Sequence, residues 1–379
     1  MSDLVARMAR SVGELPAAEW DALTSGSSGG GNPFMRHAFL SAIEDSGSVG
    51  EGSGWQPAPL VIEESGKLVA ALPAYLKGHS QGEYVFDHAW ADAWQRAGGR
   101  YYPKLQIAAP FTPATGPRVL TQRLELVGPL LRFAEQFAAA NELSSIHATF
   151  VEPEQIPLFE AAGWLIRHDI QFHWENRGYA TFDDFLADLA SRKRKAIRKE
   201  REAAQAGLEI RRLSGVDILP EHWDAFWCFY QDTGSRKWGR PYLSRAAFNL
   251  FGERMGENIV LVLAFDGGRP IAGALNFAGN GALYGRYWGC SEDRRFLHFE
   301  LCYYQAIEAA IERGLQRVEA GAQGQHKLAR GYSPVQTSSA HWIADPGFRN
   351  AVADFLERER EGVAVDAEWL SERTPFRKA

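Results

Sequence analysis

The chain has 379 residues, 45% of them hydrophobic and 23% charged, the balance of a folded protein long enough for two domains. A net charge of −6 excludes a general nucleic-acid binder, so any such role has to rest on a local basic patch. The three cysteines, Cys228, Cys290 and Cys302, show no CxxC or Cys/His ligand spacing, which excludes a disulfide framework or a structural zinc site, and no metal is expected.

The opening residues MSDLVARMARSVGELPAAEW lack the apolar core of a signal peptide, and no run of eighteen apolar residues occurs. A reduced, cytoplasmic protein without a membrane span is therefore expected. A strand is predicted near Leu4–Arg10, then a helix at PAAEWDALTSG and a loop over Ser25–Pro33. Phe34–Ser46 has helical periodicity. Leu60–Glu64 and Leu68–Leu76, joined by Ser65-Gly66-Lys67, read as a hairpin. A strand, a short helix, a strand and a Pro/Gly-rich loop follow up to Leu120. Thr121–Asn141 is a long helix in which Pro129 marks a kink or the true first turn. Ser145–Val151 is a strand, followed by a short helix ending at Gly163.

The second half repeats that order. Helices are predicted over Phe182–Gln205, Pro220–Asp232 and Arg245–Met255, with a strand at Leu208–Leu213. Ile259–Phe265, Ile271–Phe277 and Ala282–Gly289 form a meander, the first two joined by Asp266-Gly267-Gly268. Phe299–Arg313 is an amphipathic helix, Arg317–Ala320 a strand and Gly347–Arg360 a final helix. The pattern is α/β in the mixed α+β sense, repeated twice, with a boundary between Gly163 and Phe182. We divide it as residues 1–170 and 171–379.

The helix FELCYYQAIEAAIERG with the strands before and after it resembles a GNAT acyltransferase domain. Two in tandem is the arrangement of FemAB-like proteins. The segments NPFMRHAFLSAIEDSGS, YLKGHSQGEYVFDHAWADAW, YYPKLQIAAPFTPATGPRVL, LYGRYWGCSEDRRFLHFELCYYQAIE and VEAGAQGQHKLARGYSPVQTSSAHW are similar to FemAB-like predicted N-acyltransferases. The resemblance implies two tandem GNAT-like domains, of the acyl-CoA N-acyltransferase fold. It also implies an activity like that of aminoacyl-tRNA-dependent transferases acting on peptidoglycan precursors. GNAT enzymes that use acetyl-CoA carry an Arg/Gln-x-x-Gly-x-Gly/Ala loop that holds the pyrophosphate at a helix N-terminus. The matching stretch here, Glu292–Glu300, has no glycine. Thr112–Arg118 of the first half has one glycine, two threonines and an arginine, a partial anion site.

In VEAGAQGQHKLARGYSP, Val318–Pro334, Gly321 and Gly324 let the backbone approach a ligand while Gln323 and Gln325 offer amides. His326, Lys327 and Arg330 add three basic groups without an acid nearby in sequence, a set suited to a carboxylate or phosphate. The plain alternative is a solvated surface turn. Lys104, Thr112, Thr115 and Arg118 in YYPKLQIAAPFTPATGPR are either presented to a ligand by a proline-stiffened backbone or only part of a connector. KGHSQGEY, Lys77–Tyr84, with Asp87 reads as a proton-transfer cluster or a polar hairpin tip. Without a GxSxG elbow a Ser/His/Asp hydrolase is not expected. Gln171, His173 and Glu175 share one strand face, where His173 either meets substrate or is structural. SRKRKAIRKERE places Arg194, Arg198 and Arg201 on one helix face, either solvated or in contact with RNA phosphates. Arg286, in a strand among aromatics, is expected to meet Glu300 or Glu319.

Together these readings give an N-acyltransferase that passes an acyl group, in the first reading aminoacyl, to a small-molecule or peptide amine. His326 or Glu319 serves as base, and Gln323 with loop N–H groups as oxyanion donors. Lys327, Arg330, Arg286, Gly321, Gly324, His173, Lys104, Thr112 and Arg118 bind substrate, and Arg194, Arg198 and Arg201 bind tRNA. The donor is aminoacyl-tRNA or acyl-CoA, with no resident cofactor assigned. The alternatives are an acyl-CoA-dependent N-acetyltransferase using Thr112–Arg118, and a catalytically idle peptide- or RNA-binding module.

Overall fold

The computed structural model describes residues 4–24, 31–238, 241–321 and 324–377. By its contacts the chain divides into two units, Met1–Asp169 with Gln336–Val365, and Ile170–Val335 with Asp366–Ala379. Residues 336–365, read from sequence as part of the second half, thus pack in the first unit.

The first unit begins with β1 (Leu4–Met8), α1 (Ala17–Thr24), α2 (His37–Asp45), β2 (Trp55–Pro57), β3 (Leu60–Glu64), β4 (Lys67–Leu72) and β5 (Ala74–Lys77). Then come α3 (His88–Arg96), β6 (Lys104–Ile107), β7 (Leu120–Thr121), α4 (Val127–Ala140), β8 (Ser145–Val151) and α5 (Ile156–Ala161). Strands β1, β3, β4 and β7 lie side by side in that order, and β2, β5, β6 and β8 form a second row. Within that row β6 and β8 are parallel, Gln106 facing His147. Pro129 stands third in α4, where its missing N–H has no intrahelical acceptor to lose. The apolar side of α4, Leu130, Leu131, Ala134 and Ala138, is buried with Leu105, Ile107 and Ile146 of the sheet.

Strand β9 (Leu165–Glu175) leads into the second unit, where α6 (Phe182–Asp188), α7 (Ser191–Gln205), β10 (Glu209–Leu213), α8 (Pro220–Trp238) and α9 (Arg245–Met255) precede the meander β11 (Ile259–Asp266), β12 (Arg269–Gly279) and β13 (Ala282–Cys290). The expected helix Phe299–Arg313 is three pieces: α10 (Leu297–Phe299), a π turn (Glu300–Tyr304) and α11 (Gln305–Glu312). After β14 (Arg317–Glu319) and a 3-10 turn (Gln325–Arg330), β15 (Ser333–Ile343) and α12 (Pro346–Ser371) complete the chain. The strand order in this unit is β10-β11-β12-β13-β14-β9. The β11–β12 and β12–β13 hairpins turn through Gly267-Gly268 and Asn280-Gly281, every one at positive φ, the backbone of a two-residue type I′ turn. Strand β15, absent from the sequence reading, lies antiparallel to β8 with His341 opposite His147. It is missed because SPVQTSSAHWI has a proline as its second residue and carries no apolar run.

The predicted helix Phe182–Gln205 is two helices, broken at Leu189 and Ala190, whose backbones are extended. The break sets the roll of α7. Its two buried apolar residues, Ile197 and Ala204, share a face with Arg201, which therefore turns inward. Arg201 makes a bidentate pair with Glu300 at 2.9 and 3.0 Å and another with Glu308 at 2.8 and 3.0 Å. Gln205 and Gln305 complete the shell of the fully buried Glu300. Of the expected RNA face Arg194–Arg198–Arg201, Arg201 is thus withdrawn, while Arg194 reaches the Ala187 carbonyl and the exposed Arg198 pairs with Asp183. The outward cations of α7 are Arg192, Lys193, Lys195, Arg198 and Lys199. Because Glu300 has no solvent to fall back on, Arg201→Ala should cost about 3 kcal/mol of stability. Urea unfolding followed by tryptophan fluorescence measures this; a wild-type midpoint would show that Arg201 does not anchor the helix.

Candidate active site

Strands β13 and β14 run parallel through three pairs, Ala282–Arg317, Leu283–Val318 and Tyr284–Glu319, and then part. The next residues, Gly285 and Ala320, are small. A Cβ placed on Gly285 would lie 3.6 Å from both the Ala320 Cα and the Glu319 carbonyl oxygen, so side chains of ordinary size would fill the fork. Opposite it, the β12–β13 ladder shifts register: Leu275 faces Tyr287 and Asn276 faces Gly285, leaving Arg286 as the extra residue of a bulge. A cavity of ≈130 Å³ occupies the fork, lined by Asn276, Gly285, Arg286, His298, Cys302, Tyr303 and Ala320 among others. Cys302 and Tyr303 come from the π turn, an irregularity that recurs at functional sites because it re-aims side chains.

The loop after β14 closes on this wall through Tyr303. Gly321 and Gly324 take φ of +78° and +121°. A larger residue at Gly324 would be strained at this φ and would displace the His326 ring, since a Cβ there would stand 2.5 Å from it. The exposed His326 places Nε2 2.8 Å from the Tyr303 hydroxyl. Desolvation, then the charges of Lys327 and Arg330, lower the His326 pKa from its ordinary value, which favours the neutral ring. Burial raises the Tyr303 hydroxyl, which stays protonated. Lys327 is buried and donates to the Gly321 carbonyl at 2.9 Å, and burial pulls its pKa down to about 8. Gln323 lies outside the described residues.

Arg330 does have an acid partner, Glu200 of α7, at 3.0 and 3.1 Å, and its guanidinium lies 3.5 Å from the centre of the Phe299 ring. It also donates to the His326 carbonyl at 2.8 Å, so it braces the loop rather than awaiting an anion. Glu319 is not on the cavity wall. Strand alternation turns it away from Ala320, toward Arg317 at 2.9 Å and His173 at 3.9 Å. His173 is buried beside it, and desolvation outweighs Glu319 to lower its pKa. Arg286 meets neither expected acid, because Arg201 holds Glu300 and Arg317 holds Glu319; its guanidinium lies 5.2 Å from the Tyr287 ring centre. The structure therefore gathers His326, Lys327 and Arg286 around the fork and sets Glu319 and His173 behind it.

In the first unit the proposed binding residues are internal. Arg118 is 1% exposed and donates to the carbonyls of Thr149, Ala114 and Pro117 at 2.6, 2.8 and 3.2 Å, so it clasps its own loop and cannot reach a pyrophosphate. Thr112 is buried with its hydroxyl on the Pro110 carbonyl. Lys104 is fully buried, its ammonium bonded to Ser80 at 2.9 Å, Glu83 at 2.7 Å and Asp87 at 2.5 Å. Burial works to lower Lys104 and to raise Asp87, but the charges of Glu83 and Asp87 override it for the lysine and that of Lys104 for the aspartate, raising the one and lowering the other. Nearby, burial brings Glu83 up to about 7 and Lys77 down to about 7. His79 bonds to Ser53, Gln81 and Lys77, while Ser80 bonds to Tyr102 and Lys104, so no His79–Ser80 dyad forms.

The cavity residues that sequence reasoning missed are Asn276, Tyr303, Cys302 and His298. Asn276 had a signal, a lone amide inside the apolar strand IAGALNF; the others needed the π turn to bring them together. Among the described residues no helix is long and apolar enough to cross a membrane, and no group of three His, Cys, Asp or Glu is placed to hold a metal ion.

The solved structure of FemX superposes with a TM-score of 0.57 at 13% identity, covering 89% of this chain and 98% of FemX. A conserved protein of unknown function from Bacteroides thetaiotaomicron VPI-5482 superposes at 0.51 with 12% identity, over 89% of this chain and 99% of that one. A tandem GNAT protein from the clavulanic acid biosynthesis pathway reaches 0.49 with 13% identity, over 91% and 99%. At such identities the likeness is one of fold, a mixed α/β fold shared over nearly the whole chain. No curated protein matches the chain in sequence. The model of one family, described as peptidoglycan biosynthesis/recognition, matches residues 11–378, and with nearly the whole length so covered the chain belongs to the FemAB-like family.

Proposed function

We propose that this protein is an N-acyltransferase that passes an aminoacyl group from tRNA to an amine acceptor, with the acyl group held in the β13–β14 fork. The observation that carries the reading is Tyr303, which lines the cavity and whose hydroxyl is bonded to His326 at 2.8 Å. A family described by peptidoglycan biosynthesis/recognition supports an acceptor peptide that bears a free amine. The glycine-free stretch Glu292–Glu300 and the internally tied Arg118 count against acyl-CoA as donor.

Transfer forms a C–N bond and breaks the ester C–O bond of the donor. The attacking amine must shed a proton and the departing ribose oxygen must gain one. Tyr303 and His326 are placed to do both: the neutral imidazole takes the proton through the Tyr303 hydroxyl and returns it to the leaving oxygen. Lys327 keeps positive charge beside the fork and holds the Gly321 turn through its carbonyl. The outward cations Arg192, Lys195 and Lys199 of α7 offer the tRNA backbone a surface that Arg201 does not.

The test is release of free tRNA from alanyl-tRNA in the presence of an amine-bearing peptidoglycan peptide, beside thiol release from acetyl-CoA. Turnover should appear with the tRNA donor and fall on the order of 10²–10⁴-fold in His326→Ala. Acetyl-CoA turnover alone would overturn the tRNA donor in favour of an acyl-CoA-dependent N-acetyltransferase. The rate should climb as pH rises through the lowered pKa of His326, below 6.5, and decline as Lys327 loses its proton near pH 8. Lys327→Met should abolish the alkaline decline; its persistence would assign that limb to another group. In a separate binding assay, replacing Arg192, Lys195 and Lys199 together by Ala should flatten the salt dependence of tRNA affinity by a slope of roughly two, at about 0.7–0.9 per phosphate contact. An unchanged slope would move tRNA off α7.

A further inference from the structure

Asn276 is 1% exposed, and its amide can be oriented without ambiguity. Its Nδ2 points at two carbonyl oxygens, donating to Val260 at 3.0 Å with Ala274 at 3.5 Å. A flipped amide would set oxygen against both. Oδ1 must therefore take the other side, where it accepts no hydrogen bond from the described residues. A buried acceptor left unmet is costly, and native interiors rarely leave one so. Asn276 lines the cavity, and its Oδ1 is 3.4 Å from where a Cβ on Gly285 would stand, with the Glu319 carbonyl oxygen 3.6 Å from the same point. The bulge at Leu275/Asn276 breaks the ladder at that level. The fork thus holds one unmet acceptor, and a purely aliphatic acyl group would leave Oδ1 unsatisfied.

We propose that Asn276 reads the transferred group: its Oδ1 accepts a hydrogen bond from a free amino group on the acyl chain, so the fork selects aminoacyl over plain acyl donors. This rests on the reading of the fork as the acyl site. An ammonium, with several N–H bonds, can meet Asn276 Oδ1 and a neighbouring carbonyl together; a hydroxyl has one hydrogen to give. The cavity of ≈130 Å³ restricts the chain to a small one. Asn276 acts here as a specificity residue and moves no proton.

Three amide-linked analogues of 3′-amino-3′-deoxyadenosine, carrying alanyl, lactyl or propionyl, differ only in the group that would face Oδ1. Calorimetric titration of the whole protein should find the alanyl compound bound at least about tenfold more tightly than the propionyl one, with lactyl between. Asn276→Leu should abolish the preference, bringing alanyl and propionyl to the same affinity. Should that variant fold poorly, Gly285→Ala, whose methyl would stand 3.4 Å from Oδ1, should weaken alanyl more than propionyl. Equal affinity for alanyl and propionyl, or a preference that survives Asn276→Leu, overturns the role of Asn276 while leaving the fork as the acyl site. Lactyl bound as tightly as alanyl overturns the selection of an amine. Failure of all three to bind removes the acyl site and this inference with it.

Discussion

Strands β13 and β14 hold together for three residue pairs and then separate, and the chemistry of the second unit depends on that parting. A parallel pair that stayed joined would bury Gly285 and Ala320 in a closed sheet and leave no room between them. The fork opens because nothing bulky follows Tyr284 or Glu319, and because the bulge at Arg286 spends a residue where the ladder would otherwise continue. The π turn then brings Cys302 and Tyr303 to the open side. Three local irregularities, each costly to a regular sheet or helix, meet at one cavity. Such departures from local rules are expected where function overrides packing.

The charged groups around the fork are arranged to keep it open rather than to fill it. Arg201 holds Glu300, Arg330 holds Glu200, and Arg317 holds Glu319, so the strongest nearby charges are spent on one another. Beside Arg286, what lines the cavity is milder: the Asn276 amide, the protonated phenol of Tyr303 and, behind the phenol, a neutral imidazole. Such groups discriminate by hydrogen bonding and move protons near neutral pH without trapping an anion. The first unit shows the opposite design. Its lysines and acids sit fully buried in a closed ionic cluster at Lys77, Glu83, Asp87 and Lys104, and its Arg118 is sewn to its own loop.

Much of the architecture was legible in the chain. The alternation of β11 to β13, their glycine-bearing turns and the loop Val318–Pro334 stand out because their signals are local. The misreadings share a physical cause, partners supplied by distant residues. Arg194, Arg198 and Arg201 look like a stripe for phosphates until Ile197 and Ala204 fix the roll of the helix and Glu300 arrives from about a hundred residues away. Arg330 looks free of acids until α7 brings Glu200. Lys104 looks like a ligand contact in a proline-stiffened segment, yet its three acceptors sit 17 to 24 residues upstream. Strand β15 carries no hydrophobic period, and its pairing with β8 had no local signal.

The most direct measurement is a crystal structure of the protein with the amide-linked alanyl-adenosine bound. Density for the alanyl group between β13 and β14, its nitrogen within hydrogen-bond distance of Asn276 Oδ1 and its carbonyl beside the Tyr303 hydroxyl, is the expected result. An alanyl group seated against the Lys104 cluster or the Thr112–Arg118 loop, with the fork closed to it, would contradict the assignment of the β13–β14 fork as the place where the acyl group is held.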